Sequence, residues 1–232
     1  MGIETIVVTG AAGGMGAALC RILKERGHVV LPIDQRSTGL ANELVCDLTD
    51  GDLPTRLSAS LGALPSVSGL ANVAGTSIGS SLLDGSNEEW KRMIETNLTA
   101  PMTLAKCLIP KMIDRGGGAI VNVGSPVGFT GSRKPGYAAS KAGLIGLTMT
   151  IARQFGKDGI RCNLLLPGAT ITNMTQDWDQ TKRDSIACTS FLGRLCSADD
   201  IAEVMAFMLS DASRCITGAV IDATAGQMVG AH

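Results

Sequence analysis

The chain has 232 residues, 45% of them hydrophobic, and a formal net charge of −1. That length suits one large core, and the near-neutral balance excludes the basic face of a nucleic-acid or membrane-surface binder. No apolar run exceeds strand length, which excludes a transmembrane helix. The chain opens with Ile3-Glu-Thr-Ile-Val-Val-Thr9, a short β-branched run read as a strand. Gly10-Ala-Ala-Gly-Gly14-Met15-Gly16 follows, and then the helical stretch Ala17–Arg26. Strand, glycine turn and helix in this order allow close backbone approach to a ligand. The N–H groups at the helix start favour the phosphates of a dinucleotide.

His28–Asp34 reads as a second strand ending on an acid, placed to accept hydrogen bonds from an adenosine ribose. Asp34 would repel a 2′-phosphate, and Gly13 between the glycines offers no basic side chain to receive one, so NAD is preferred over NADP. Arg36 could pair with a phosphate but also reads as a solvated loop arginine. Only a dozen residues separate Asp34 from Asp47, so a minimal strand at Leu44–Cys46 reached by a bare loop is expected. Further strands are predicted at Val67–Asn72, Gly118–Val123, Gly159–Leu166 and Ala219–Asp222. Helices are predicted at Asn87–Arg115, Pro135–Gly156 and Ala198–Ser210. The alternation predicts one α/β domain spanning 1–232 with a mostly parallel, seven-stranded sheet.

Tyr137, the only tyrosine, opens Tyr137-Ala-Ala-Ser-Lys141, with Ser125 twelve residues upstream. Positions i and i+4 share a helix face, so Lys141 is placed to lower the Tyr137 pKa toward neutrality. Asn97 interrupts the long helix 87–115, where a polar side chain can anchor a water. Seven cysteines without Cys-x-x-Cys spacing and only two histidines argue against metal ligation and disulfides. Met1 leads directly into the first strand with no leader-like segment, so a cytoplasmic location is expected.

Taken together, Thr9–Gly16, Asn72-Val-Ala-Gly75, Asn97, Ser125, Tyr137–Lys141 and Pro167-Gly168 resemble the ordered motif set of the short-chain dehydrogenase/reductase family over essentially the whole chain. The resemblance implies a single doubly wound, Rossmann-like domain with helices on both faces of the sheet, a nicotinamide cofactor and reversible oxidation of a secondary alcohol to a carbonyl. Tyr137 would be the acid/base and Ser125 would hold the reacting oxygen. Lys141 would tune Tyr137 and hold the nicotinamide ribose, and Asn97 would carry a water of a proton relay. Cofactor contacts carried over are Gly10, Gly14, Met15, Gly16, Asp34, Asp47 and Leu48 at adenine, then Asn72, Ala74 and Gly75, and Tyr137 and Lys141. Pro167, Gly168, Thr170 and Thr172 complete the set, with Thr172 at the carboxamide. Val73 replaces the family's second asparagine, and Thr170 stands where an aliphatic residue is usual.

A lid is expected at Asn173–Arg194, with Trp178 either a substrate contact or the buried face of the lid helix. Pro126, Val127, Phe129 and Gly131 predict a mainly apolar wall, and hence a small to medium alcohol or ketone with an apolar body. The alternatives are a non-catalytic nucleotide-sensing protein and a sugar-nucleotide epimerase or dehydratase on the same fold. A homotetramer or homodimer is expected through the helices 87–115 and 135–156, whose Met102, Leu108, Leu144, Leu147 and Met149 read as exposed.

Overall fold

Strand placement follows from residues buried on both faces of one sheet. In β1 (Thr5–Thr9) all five positions are buried: Val7 packs into one hydrophobic cluster and Ile6 and Val8 into another, as the two-residue period of a strand requires. The computed structural model describes residues 3–172, 175 and 177–228. Its sheet comprises β1, β2 (Val29–Asp34), β3 (Leu44–Val45), β4 (Val67–Asn72), β5 (Gly118–Val123), β6 (Ile160–Pro167) and β7 (Val220–Ala223). The order is β3-β2-β1-β4-β5-β6-β7. All six pairings are parallel, where the sequence pattern predicted a mostly parallel sheet.

Helices cover both faces. α1 (Gly14–Glu25) and α8 (Ala198–Leu209) bury Leu19, Leu23, Met205 and Met208 on one side. α2 (Leu53–Leu61), α4 (Ala100–Asp114) and α6 (Pro135–Phe155) bury Leu57, Leu104, Leu108 and Ile151 on the other. Each such leucine contributes about 2 kcal/mol relative to leaving it in water. The remaining helices are α3 (Asn87–Ile94), the single turn α5 (Val127–Thr130) and α7 (Gln180–Cys188).

Several expectations change. The helix predicted over 87–115 is α3 and α4 joined by a π turn at Glu95–Thr99 that contains Asn97. The loop between β2 and β3 carries no helix, as its length requires. α2 has no counterpart among the sequence expectations, although Leu53, Leu57 and Leu61 recur every four residues on its buried face. Leu108 and Leu144 are 0% and 1% exposed and belong to the protomer's own core, whereas Met102 and Met149 are 41% and 49% exposed. Leu147 is partly buried against the core. Among the described residues, no helix is long and apolar enough to cross a membrane.

The carboxyl ends of parallel strands, with the loops that follow them, form one edge of the sheet. Thr9, Asp34, Asn72, Val123 and Pro167 end β1, β2, β4, β5 and β6 there.

Candidate active site

A cleft of about 540 Å³ runs along this edge. Of the sequence-predicted residues, Gly10, Gly14, Met15, Gly16, Asp34, Leu48, Ala74, Gly75 and Thr172 line it. Its glycines are required by close approach. Gly10 has φ +67°, and a Cβ there would lie 2.8 Å from the Ala74 backbone; one on Gly16 would lie 2.1 Å from the Gly10 carbonyl oxygen. α1 starts at this floor from Gly13, with no side-chain cap on its first turn, whereas α3, α7 and α8 are capped by Ser86, Asp179 and Ser197. Uncapped N–H groups above a side-chain-free floor fit the pyrophosphate of a dinucleotide.

Asp34, the last residue of β2, lines the cleft. Its Oδ2 accepts the Ala12 N–H at 3.0 Å and its Oδ1 the Arg36 N–H at 3.0 Å. The Arg36 side chain folds back, donating to the Ala12 carbonyl at 3.1 Å with Nε 3.7 Å from Asp34. Arg36 lines the cleft and is therefore part of its wall, not a distant surface group.

Asp47 does not line the cleft. Thr49 donates to its Oδ1 from backbone and hydroxyl at 2.9 and 2.8 Å, and Gln35 and Arg92 donate to Oδ2. Burial raises its carboxyl, but the hydrogen bonds from Arg92 and Thr49 outweigh this and hold it below the ordinary range. Arg92, on α3, lines the cleft and was not anticipated; its partner lies 45 residues away in sequence.

Asn72 is also turned away from the cleft. Its Nδ2 donates to Asn122 Oδ1 at 2.8 Å, and Asn122 Nδ2 donates to Thr148 Oγ1 at 2.9 Å, a polar ladder from β4 through β5 to α6. Pro167 pairs with Ala223 inside the sheet, and Gly168 packs on the Thr224 backbone, where a Cβ would approach to 2.8 Å. Thr170 is buried, with its hydroxyl on the Gly168 carbonyl at 2.8 Å. Of this segment only Thr172 reaches the cleft, close enough that a Cβ on Gly14 would lie 3.0 Å from its Cγ2.

Beyond Gly75 the sequence-predicted catalytic residues converge. Ser125, just past β5, stands beside Tyr137 on the first turn of α6, near enough that its hydroxyl favours the phenolate. One turn on, Lys141 is 4% exposed; its Nζ donates to the Val123 carbonyl at 2.7 Å and lies 5.8 Å from the Tyr137 ring centroid. Asn97 is fully buried in the π turn. Its Oδ1 accepts the Thr76 N–H at 2.8 Å, and its Nδ2 donates to the Thr76 carbonyl at 2.9 Å and to Ser140 Oγ at 3.0 Å. A Cβ on Gly75 would stand 3.4 Å from both Asn97 Oδ1 and Lys141 Nζ, so these two groups face one small space. Lys134, also unanticipated, donates through Nζ to the Ser77 carbonyl, so residues 76 and 77 are tied down from two helices.

The electrostatics differ from expectation at one point. Burial pushes the Tyr137 phenol above its ordinary value, with the Ser125 hydrogen bond acting the other way, whereas the helix spacing predicted a lowering by Lys141. Burial also pushes Lys141 down to about 8, so its ammonium is lost before the phenol titrates. Without cofactor, Tyr137 is therefore a neutral phenol near neutrality.

Phe129 on α5 is half-exposed beside this site, and the Trp178 ring carries Lys182 Nζ 4.8 Å from its centroid, ahead of α7. Of the expected lid, Asn173, Met174 and Gln176 lie outside the described residues.

The pattern of the short chain dehydrogenase family matches residues 4–183. A (3R)-3-hydroxyacyl-CoA dehydrogenase of Rattus norvegicus is 33% identical over 95% of this chain and 94% of its own. A 3-oxoacyl-[acyl-carrier-protein] reductase of Escherichia coli (strain K12) is 32% identical over 95% of each. A crystal structure of a putative NAD(P) dependent gluconate 5-dehydrogenase from Beutenbergia cavernae, with bound NADP, superimposes with TM-score 0.90 at 28% identity, covering 97% of each chain. The cleft, the glycine floor and the convergent serine, tyrosine and lysine thus stand on a chain that belongs to the short-chain dehydrogenase family.

Proposed function

We propose that the protein is an NAD-dependent oxidoreductase interconverting a secondary alcohol and a ketone. The observation carrying this reading is that Ser125 and Tyr137 stand together beside buried Lys141, at the end of a glycine-floored cleft that Asp34 also lines. When bound, oxidised nicotinamide accepts a hydride from the carbinol carbon and brings a positive charge to the site. Tyr137 takes the hydroxyl proton during oxidation and returns it to the carbonyl oxygen during reduction, while Ser125 donates to that oxygen and holds it in line. Lys141 stabilises the phenolate once a proton has moved. Asn97 acts as a positioning residue: by gripping both backbone groups of Thr76 it fixes the wall next to Lys141. A water between Asn97 and Lys141 would pass the proton outward.

Asp34 supports NAD over NADP, since a carboxylate accepts from ribose hydroxyls and repels a phosphate at the same place. The names of the two enzyme relatives favour a 3-hydroxyacyl or 3-oxoacyl substrate, and half-exposed Phe129 suits an apolar body. Residues 173–194 would form the lid, with the cytoplasm as the setting. The α4 and α6 faces carry a groove of about 540 Å³ lined by Met102, Ile109, Ile113, Leu147 and Phe155, which supports a homotetramer. A panel of alcohols with NAD and ketones with NADH, followed by nicotinamide absorbance, tests the reaction; no turnover with either panel overturns it. Sedimentation at micromolar concentration tests the assembly, and a monomer overturns it.

A further inference from the structure

The loop joining β2 to β3 holds a second built feature next to Asp34, centred on Glu43. Four donors from three consecutive residues converge on its carboxylate: Ser37 Oγ reaches Oε1 at 2.7 Å, and Thr38 N, Thr38 Oγ1 and Gly39 N reach Oε2 at 2.6, 2.7 and 3.2 Å. The turn that makes this possible puts Gly39 at φ +68° and Asn42 at φ +63°. These hydrogen bonds, Ser37's first and Thr38's next, hold the Glu43 carboxyl below its ordinary range, so it is an anion at neutral pH. Successive N–H groups with two hydroxyls form a nest that suits phosphate oxygens as well as a carboxylate.

The nest adjoins the cleft through Arg36. That residue lines the cleft with Asp34, and its neighbours Ser37 and Thr38 line a groove of about 510 Å³ together with Ala12, Arg21 and Lys24. Ala12 is held by Asp34 through its N–H and by Arg36 through its carbonyl, so cleft and groove meet there. Glu25 also lines the groove, and Arg21 is engaged by Glu25 and Asp199, so the donors left nearest the cleft are those of the Ser37–Gly39 turn, which the chain's own Glu43 occupies.

We propose that Glu43 is a specificity-determining residue: its carboxylate is an internal anion that fills the Ser37–Gly39 nest and thereby denies it to the 2′-phosphate of NADP. This rests on the nicotinamide-dependent reading above. Asp34 serves the ribose hydroxyls, and Glu43 blocks the phosphate by occupancy and by like charge. Removing the carboxylate frees four donors next to Arg36.

The test uses ligands without a nicotinamide ring, so that catalysis plays no part. Binding of 5′-AMP and of 2′,5′-ADP is measured by calorimetry for the wild type, Glu43→Ala and Glu43→Gln. In Glu43→Ala the affinity for 2′,5′-ADP relative to 5′-AMP should rise about tenfold, since a like charge has been removed and donors freed. Glu43→Gln, which keeps an acceptor in the nest, should show a smaller rise in the same direction, and it carries the comparison alone if the alanine variant does not fold. A ratio unchanged within about twofold, or a parallel loss for both ligands, would show that Glu43 only orders the loop and would overturn the proposal. A wild type that binds 2′,5′-ADP more tightly than 5′-AMP would instead overturn the NAD preference, a separate comparison from the change on mutation.

Discussion

The two ends of the cleft are organised by opposite means. Around Asp34 three carboxylates are engaged by the chain itself: Asp34 by Ala12 and Arg36, Asp47 by Arg92, Thr49 and Gln35, and Glu43 by Ser37, Thr38 and Gly39. Hydrogen bonding holds Asp47 and Glu43 in the charged form. At the catalytic end burial dominates, and it disfavours charge: the Tyr137 phenol is raised and the Lys141 ammonium lowered. On the function proposed above, the first end would present fixed negative charge to ribose hydroxyls and repel a phosphate. The other disfavours charge, so that a positive charge arriving there would be felt at low effective dielectric.

The sharpest break of that contrast is Tyr137→Phe. The ring still packs, but no proton can be exchanged, so turnover should fall by about 10²–10⁴-fold while NADH affinity stays within about twofold. Fluorescence titration of NADH beside the rate assay separates the two ends. A variant keeping full turnover would place the chemistry elsewhere.

A second test reads the burial of Lys141 as stability. Unfolded, its amine binds a proton up to its ordinary value of 10.5; folded, it loses that proton near pH 8. Between those values the unfolded chain binds more protons, so this group's contribution to stability rises with pH, and below pH 8 the full cost of the buried charge is present. Cys20 and Cys162, raised by burial to about 12, act in the opposite sense at high pH. The quantity to follow is therefore the difference between wild type and Lys141→Met. Urea denaturation should show the methionine variant more stable by up to about 3 kcal/mol near pH 7, with the gap closing toward pH 10. A gap independent of pH would mean that Lys141 binds its proton equally in the folded and unfolded chain, so that burial does not shift its titration.

At the adenosine end, Asp34→Ala should weaken NADH binding by about 1–3 kcal/mol, because ribose hydroxyls lose a charged acceptor. NADPH should gain in relative terms as Arg36 is released from its carboxylate partner. Equal losses for both cofactors would show that Asp34 acts only by holding Ala12 in the glycine turn.

The readable and unreadable parts of the site divide along the same contrast. Gly10, Gly16 and Asp34 were legible because local backbone demands place them: a turn that admits no Cβ, and the last residue of a strand. Asn97 was legible as a polar break in a long helix and proved to sit in a π turn, with its side chain spent on Thr76 and Ser140. Asn72 was read toward the ligand because it ends a strand, yet register sets it opposite Asn122. Arg92, Lys134 and Glu43 escaped notice because their meaning lies in partners 45, 57 and four to six residues away, joined by a fold or a tight turn that spacing does not reveal. Leu108 and Leu144 look like interface residues on a helical wheel, but only packing shows that they face inward.

The smallest effect is the most direct probe of the catalytic end. Tyr137 is the only tyrosine, so phenolate absorbance in the folded protein reports this residue alone. Without cofactor it should titrate above the ordinary value of 10.0, since burial outweighs the Ser125 hydrogen bond. Ser125→Ala should raise it further by removing the one opposing cause, whereas Lys141→Ala should change it little, because that lysine is already neutral above about pH 8. Saturating NAD should move the titration down and NADH should not, because only the oxidised ring carries positive charge into a site of low dielectric. A phenol that titrates alike with both cofactor forms would mean that the ring's charge does not reach Tyr137, and the division of labour between the two ends would fail at the step where they must meet.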